Sequence, residues 1–212
     1  MLKESLDLFV NPVYERTKRN DRSYTATTEY VTRRLKNLVS EYKTSSCISE
    51  MTKPPSELQT LRLIRDEVDH NIRRYHGYSI KGSIGAHYKQ VGVTKGIFEH
   101  MVPASTVRDL LLAEVITPYQ ACNMPTCLLA KNNDKLLKKY GLNSTTPDIY
   151  NFWLRYEKCF STIGQFKTHD GTAILTSKWT LDNHFDYFGW QTVSICYTVY
   201  TVRNKENIMI KE

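Results

Sequence analysis

The spacing of apolar residues changes along this chain, and that change limits the folds open to it. Over residues 56–75, apolar side chains recur at intervals of three and four, which places them on one face of a helix. They are Leu58, Leu61, Ile64, Val68 and Ile72. Residues 192–202 instead alternate apolar and polar side chains, the two-residue period of a half-buried strand. The sequence therefore predicts an α+β fold with a helical N-terminal half and an antiparallel β C-terminal third.

The chain of 212 residues is long enough for one sizeable core. We expect residues 1–45 to form a helical, basic N-terminal extension and residues 56–212 to form a single α+β domain. The intervening Thr44–Pro55 is rich in Ser, Thr and Pro, which favours a linker. The other predicted elements are a helix over 149–159, strands over 172–180 and 208–210, and a turn at 182–186 whose Asp, Asn and His side chains form a secondary cluster of potential ligands.

Composition favours a polyanionic partner. The formal net charge is +7 and the pI is about 9.1, and Lys and Arg side chains that neutralise phosphates gain free energy by releasing counterions. The five cysteines lack metal-finger spacing, so we expect free thiols in a reducing compartment. The N-terminus lacks the apolar core of a signal peptide, and no stretch approaches the length of a membrane span. These features predict a soluble, intracellular protein.

The dipeptide Glu99-His100 carries the strongest chemical signal. It ends the apolar run Gly96-Ile97-Phe98 and precedes Met101-Val102-Pro103, the pattern of a strand end. An acid beside a histidine supplies one possible metal ligand and one possible general base, which metal-assisted phosphodiester cleavage requires. A structural histidine at a strand end is the alternative interpretation of the same residues.

Two further elements follow. Residues 104–113 predict a helix and residues 126–130 a second strand. Residues 131–141 predict another helix, with Asn132 as its N-cap, Asp134 in the first turn and Gly141 at its end.

This order of elements resembles the ββα-metal core of the His-Me finger, or HNH-type, endonucleases. The string Glu-His-Met-Val-Pro, the segment Arg-Asp-Leu-Leu-Leu, and Arg155-Tyr156 after Phe152-Trp153 look like phage-encoded endonucleases of this type. The resemblance covers residues 85–160, with the ββα-metal-like core around residues 96–141. The insertion between the strands is longer than the simplest ββα core needs, and no pair of CxxC knuckles is present.

The resemblance implies a DNA endonuclease with His100 as the general base. It implies one divalent ion, Mg²⁺ in the first instance, held by Glu99 and by Asn133 or Asp134 on the following helix. DNA rather than RNA would be the substrate, and double-strand cutting would need a homodimer or sequential nicks. The expected location is the cytoplasm of an infected bacterial host.

Basic side chains around this core are candidates for holding the nucleic-acid backbone. They are Arg73, Arg74, Lys81, Lys89, Lys138 and Lys139. The glycine-rich segment Tyr78–Gly96 predicts a flexible basic loop, and its His87 is the second-choice site residue. The alternative function is a non-catalytic nucleic-acid-binding or host-interaction phage protein with Glu99-His100 as structural residues. An unrelated enzyme that uses the histidine-rich segment 70–100 also stays open.

Overall fold

The computed structural model describes residues 28–52, 55–77, 86–160, 165–171 and 178–188. Within these residues the elements in chain order are α1 (Thr28–Thr52), α2 (Pro55–Tyr75), β1 (Tyr88–Gln90), β2 (Ile97–His100), α3 (Ala104–Leu112), α4 (Pro118–Cys122), β3 (Thr126–Leu129), α5 (Lys131–Lys139), α6 (Leu154–Glu157), β4 (Phe166–Thr168) and α7 (Leu181–Tyr187). The protein is a mixed α+β structure with a helical N-terminal half, as the sequence predicts.

The chain divides into two compact units. The first consists of residues 1–86 and 107–123, and the second consists of residues 87–106 and 124–212. In the first unit α1 packs against α2 and α4. Of the five apolar residues predicted on one face of α2, Ile64, Val68 and Ile72 are buried, Leu61 is half-buried and Leu58 is 57% exposed. The three-and-four spacing therefore marks the core-facing side of the helix from Ile64 onward.

The segment predicted as a linker is helical over residues 44–52, which makes that prediction wrong there. Its hydroxyl side chains bond back to the preceding turn: Thr44 Oγ1 donates to the Ser40 carbonyl at 3.1 Å, and Ser46 Oγ donates to the Lys43 carbonyl at 2.9 Å. Ser and Thr can satisfy their hydroxyls in this way without leaving the helix. Only residues 53 and 54 separate α1 from α2 among the described elements.

A four-stranded sheet organises the second unit, with strand order β2-β3-β1-β4. Strand β3 pairs antiparallel with β2 and parallel with β1, and β4 pairs antiparallel with β1. Aromatic side chains fill the core of this unit. The Trp153 ring lies 5.1 Å from both Tyr88 and Phe166, centroid to centroid, and all three rings are buried.

The glycine-rich segment predicted as a loop contains β1, because Tyr88 and Gln90 bury their side chains while Lys89 between them stays half-exposed. This is the alternation of a strand. The prediction of a basic loop is therefore wrong for residues 88–90. Residues 78–85, including Lys81, lie outside the described residues.

The helix predicted over 149–159 is confined to Leu154–Glu157. Asp148 explains the late start, since its carboxylate accepts from the backbone N–H groups of Tyr150 (2.7 Å) and Asn151 (3.1 Å). Such side-chain bonds offer the backbone an alternative to the helix.

The prediction of a turn at residues 182–186 is also wrong, because these residues form most of helix α7. Thr180 caps that helix through a reciprocal capping box with Asn183. Asp182 and Asn183 therefore lie in the first turn of a helix.

The predicted strands over 192–202 and 208–210, and residues 172–177 of the strand predicted over 172–180, lie outside the described residues. So do residues 1–27 of the predicted basic N-terminal extension. In the part of the chain that the structure describes, no helix combines the length and apolar character needed to cross a membrane.

Candidate functional site

Glu99 and His100 end β2, as the sequence predicts. Glu99 lies opposite Cys127 of β3, and His100 lies opposite Thr126. Gly96, just before β2, allows the two strands to approach, because a Cβ there would lie 2.5 Å from the Leu129 carbonyl oxygen. The dipeptide is thus fixed at the end of an antiparallel pair.

Adjacent residues on a strand point to opposite faces of the sheet, and the contacts of the dipeptide agree. The His100 ring meets the Phe98 ring edge-on at a centroid distance of 5.9 Å, which is the contact of residues two apart on one face. The Glu99 side chain, 17% exposed, instead forms an ion pair with Arg155. The two predicted functional side chains therefore leave the strand in different directions.

Arg155 hydrogen-bonds to several residues of this region. It is fully buried, and its Nη1 donates to the carbonyls of His100 (2.7 Å) and Met101 (3.1 Å). Its Nη2 donates to Glu99 Oε1 (3.0 Å) and to the Leu142 carbonyl (2.6 Å). A single guanidinium thus joins the end of β2 to the segment that follows α5.

The helix predicted over 131–141 is α5, and its end is confirmed. Gly141 has φ of +70°, its N–H donates to the Lys138 carbonyl, and the Leu142 N–H donates to the Leu137 carbonyl, which is a Schellman ending. The start differs from the prediction, because the N-cap is Ala130 and not Asn132. The Ala130 N–H donates to Gln90 Oε1 of β1 at 3.0 Å, so a neighbouring strand anchors this end of the helix.

Asn133 and Asp134, the predicted helix ligands, both lie in the first turn of α5. Asn133 is half-buried. Asp134 is buried and pairs with Lys138 one turn later, with Oδ2 and Nζ 3.0 Å apart. Asp134 therefore forms an ion pair with one of the lysines predicted to contact phosphate.

In the part of the chain that the structure describes, metal-ligating side chains are not gathered as a metal site built from protein ligands alone would require. Within the described ranges, no group of three or more His, Cys, Asp and Glu could hold a metal ion. Glu99, His100 and Asp134 therefore do not form such a group. Asn133 is an oxygen donor of a different type, so this result does not bear on it.

His87, the second-choice site residue, is a buried link between β1 and β3. The Thr126 N–H donates to its Nδ1 at 3.1 Å, and because a backbone N–H can only donate, Nδ1 accepts and Nε2 carries the proton of the neutral ring. The ring also meets the rings of His184 and Phe188 edge-on, each at 4.9 Å. Its contacts are those of a core residue.

The predicted phosphate contacts divide between the units. Arg73 and Arg74 lie in the last turn of α2 in the first unit, and Arg73 pairs with Asp69. Lys89, Lys138 and Lys139 belong to the second unit.

Sequence reasoning missed Lys167, which lies directly opposite Lys89 on β4. Both lysines are half-exposed, and like charges directly opposite on antiparallel strands repel each other. An anion bound between them would relieve that repulsion. The local signal in the sequence is the alternation Phe166-Lys167-Thr168, and the structure shows the matching pattern of buried, half-exposed and buried side chains.

Comparisons with protein-family models, with curated proteins and with solved structures find no match to this chain.

Proposed function

We propose that this protein is a metal-dependent endonuclease that hydrolyses phosphodiester bonds in DNA, with His100 as the general base. The supporting observation is the order and pairing of three elements. The antiparallel pair β2–β3 carries Glu99-His100 at its end, and α5 begins at Lys131, two residues after β3 ends at Leu129. This is the strand–strand–helix order expected of a ββα core.

The role of His100 follows from its chemistry and its fixed backbone. A neutral imidazole can take a proton from water near neutral pH. Arg155 holds the His100 carbonyl, which restricts the backbone from which the ring projects. A water molecule that loses its proton to the ring would attack phosphorus, and the leaving oxygen would depart on the far side.

A divalent ion needs few protein ligands here. Mg²⁺ usually takes one or two carboxylates and completes its octahedron with water and substrate phosphate oxygens. The resemblance to ββα-metal cores makes Glu99 with Asn133 or Asp134 the candidate set of protein ligands. When bound, the ion would stabilise the charge that develops on the phosphoryl group and leaving oxygen. Cytoplasmic action, and a homodimer for double-strand cutting, belong to the same proposal.

A non-catalytic nucleic-acid-binding protein is the second candidate, and one observation favours it. The Glu99 carboxylate already pairs with a buried arginine on the face opposite to His100, which is what a structural acid would do. A net charge of +7 would serve a binding protein equally well.

The test is nicking of supercoiled plasmid with Mg²⁺ or Mn²⁺. We expect the wild-type protein to convert it to the open circle and EDTA to prevent this. His100→Ala should cut about 100- to 10,000-fold more slowly, the usual contribution of a general base. His70→Ala is the matched control, because His70 is an exposed histidine on α2. A wild-type protein that binds DNA and never nicks it, across plasmids of varied sequence, would support the second candidate.

A further inference from the structure

We infer that Arg155 is a positioning residue that holds Glu99 and the end of strand β2 in one arrangement relative to α5. This inference rests on the proposed function, since it assigns the residue that orients the proposed site. Arg155 does not touch the reacting atoms in that scheme. It acts through the residues that it binds.

The first step of the argument is the number of partners. The two terminal nitrogens of Arg155 donate to Glu99 Oε1 and to the carbonyls of His100, Met101 and Leu142, at distances of 2.6 to 3.1 Å. A planar guanidinium has donors in a fixed fork. Partners on both sides of it are therefore held at fixed relative positions.

The second step is burial. Arg155 has an exposure of 0%, and a buried cation is costly unless it is paired and hydrogen-bonded. Glu99 supplies the opposite charge, and the carbonyl oxygens accept from the two terminal nitrogens. Within the described residues the buried Nε has no hydrogen-bond partner. Removing this pairing would leave a buried charge, so each partner keeps the other in place.

The third step is where the partners lie in the fold. His100 is the last residue of β2 and Met101 follows it, whereas Leu142 follows the end of α5. In the proposed function β2 carries the general base and α5 carries the metal ligand. A long insertion between β2 and β3 separates them in the sequence. Arg155 spans them with one side chain, and a displacement of about 1 Å in such a constellation can lower a rate about 100-fold.

Arg155→Lys tests the inference, because lysine keeps the positive charge but lacks the two terminal nitrogens that donate in fixed directions. We expect the variant to fold, with near-UV circular dichroism like that of the wild type. Its turnover number for plasmid nicking should fall about 100-fold, while the plasmid concentration at half-saturation changes by less than about threefold, since only uniform binding would move the latter. Should the lysine variant fail to fold, Arg155→Gln keeps two N–H donors and replaces it in the same assay.

Phe185→Leu is the matched control, since Phe185 is buried in α7 of the same unit and its loss weakens the core. It should keep the wild-type turnover number within about twofold. Equal losses in Arg155→Lys and Phe185→Leu would overturn the inference, as would a wild-type turnover number in Arg155→Lys.

Hydrogen exchange separates this inference from the proposed function. The Met101 N–H donates to the Pro125 carbonyl at 2.9 Å, so its exchange reports on the end of β2. We expect Arg155→Lys to exchange this amide at least tenfold faster than Phe185→Leu does. A wild-type protein that never nicks DNA would refute the nuclease, and the exchange rate would still decide whether Arg155 holds this strand end.

Discussion

His76, at the C-terminal end of α2, is a titratable side chain that the core excludes from water. Its exposure is 0%, and its Nε2 lies 2.8 Å from the Cys122 carbonyl oxygen of α4. Because a carbonyl only accepts, Nε2 donates. Burial lowers the pKa of His76 from 6.5 to about 4, although the bond to Cys122 acts in the opposite direction. The folded protein therefore holds this ring neutral under conditions in which an exposed histidine is charged.

This pKa predicts acid sensitivity. As the pH falls from 6.5 towards about 4, the unfolded chain takes up a proton that the folded protein does not, so stability is complete above that window and decreases through it. The difference corresponds to about 3 kcal/mol. The free energy of unfolding, measured with urea between pH 7 and pH 4, should depend less on pH in His76→Gln than in His70→Gln. The second variant is the control, because it removes an exposed histidine. Parallel profiles for the two variants would contradict the assignment.

The sequence revealed the adjacent residues of the candidate site and not their distant partner. The position of Glu99 and His100 at a strand end could be predicted, because strand, acid and histidine are contiguous in the sequence. Arg155 lies 56 residues from Glu99 in the sequence. No local pattern indicates that its charged side chain is buried and contacts the end of β2. The ion pair Asp134–Lys138 is, by contrast, an i,i+4 pair that helical spacing alone makes possible.

At the scale of elements, local signals succeeded where packing agreed with them. Helix α2 was predicted to within one residue, since its apolar spacing matches the face that packs. The predicted starts of helices were wrong where side chains compete for backbone hydrogen bonds. Asp148 delays α6 and Thr180 starts α7, and the sequence alone does not say whether an Asp or a Thr will cap a helix or form a turn.

The end of α5 offers a prediction on the backbone. Gly141 has φ of +70°, and a Cβ there would meet no atom within 4 Å, so Gly141→Ala changes conformational preference without a clash. We expect a loss of about 1 kcal/mol in the free energy of unfolding, measured with urea. Gly77→Ala is the control, because a Cβ there also has open space but no left-handed φ is present. An equal loss in both variants would show that φ is not the cause.

At the scale of the whole molecule, charge is the property that sequence fixes most directly. The excess of Lys and Arg, 29 against 22 Asp and Glu, was available from composition. Its distribution was not, because the pairing of β1 with β4 decides that Lys89 lies beside Lys167. The C-terminal strands predicted from sequence lie in the part of the chain beyond the described residues.

The Lys89–Lys167 pair should contribute to the salt dependence of DNA binding. Each phosphate contact adds about −0.9 to the slope of log K against log salt concentration for duplex DNA. Changing both lysines to glutamine should therefore reduce the magnitude of the slope by about 2, measured by fluorescence anisotropy with a duplex in EDTA. Lys158→Gln with Lys178→Gln is the control, since these are exposed lysines of the same unit. Equal changes in the two double variants would indicate a diffuse charge effect.

The proposal of a nuclease depends on His100 as the base, and chemical rescue tests that role most directly. The measurement is plasmid nicking by His100→Ala with Mg²⁺ as imidazole is added, beside the same titration of the wild-type protein. We expect the variant to be nearly inactive alone and to recover nicking in proportion to the free imidazole base, while the wild type does not respond. Nicking by His100→Ala at the wild-type rate without imidazole would contradict the account, because the water would then lose its proton to another group.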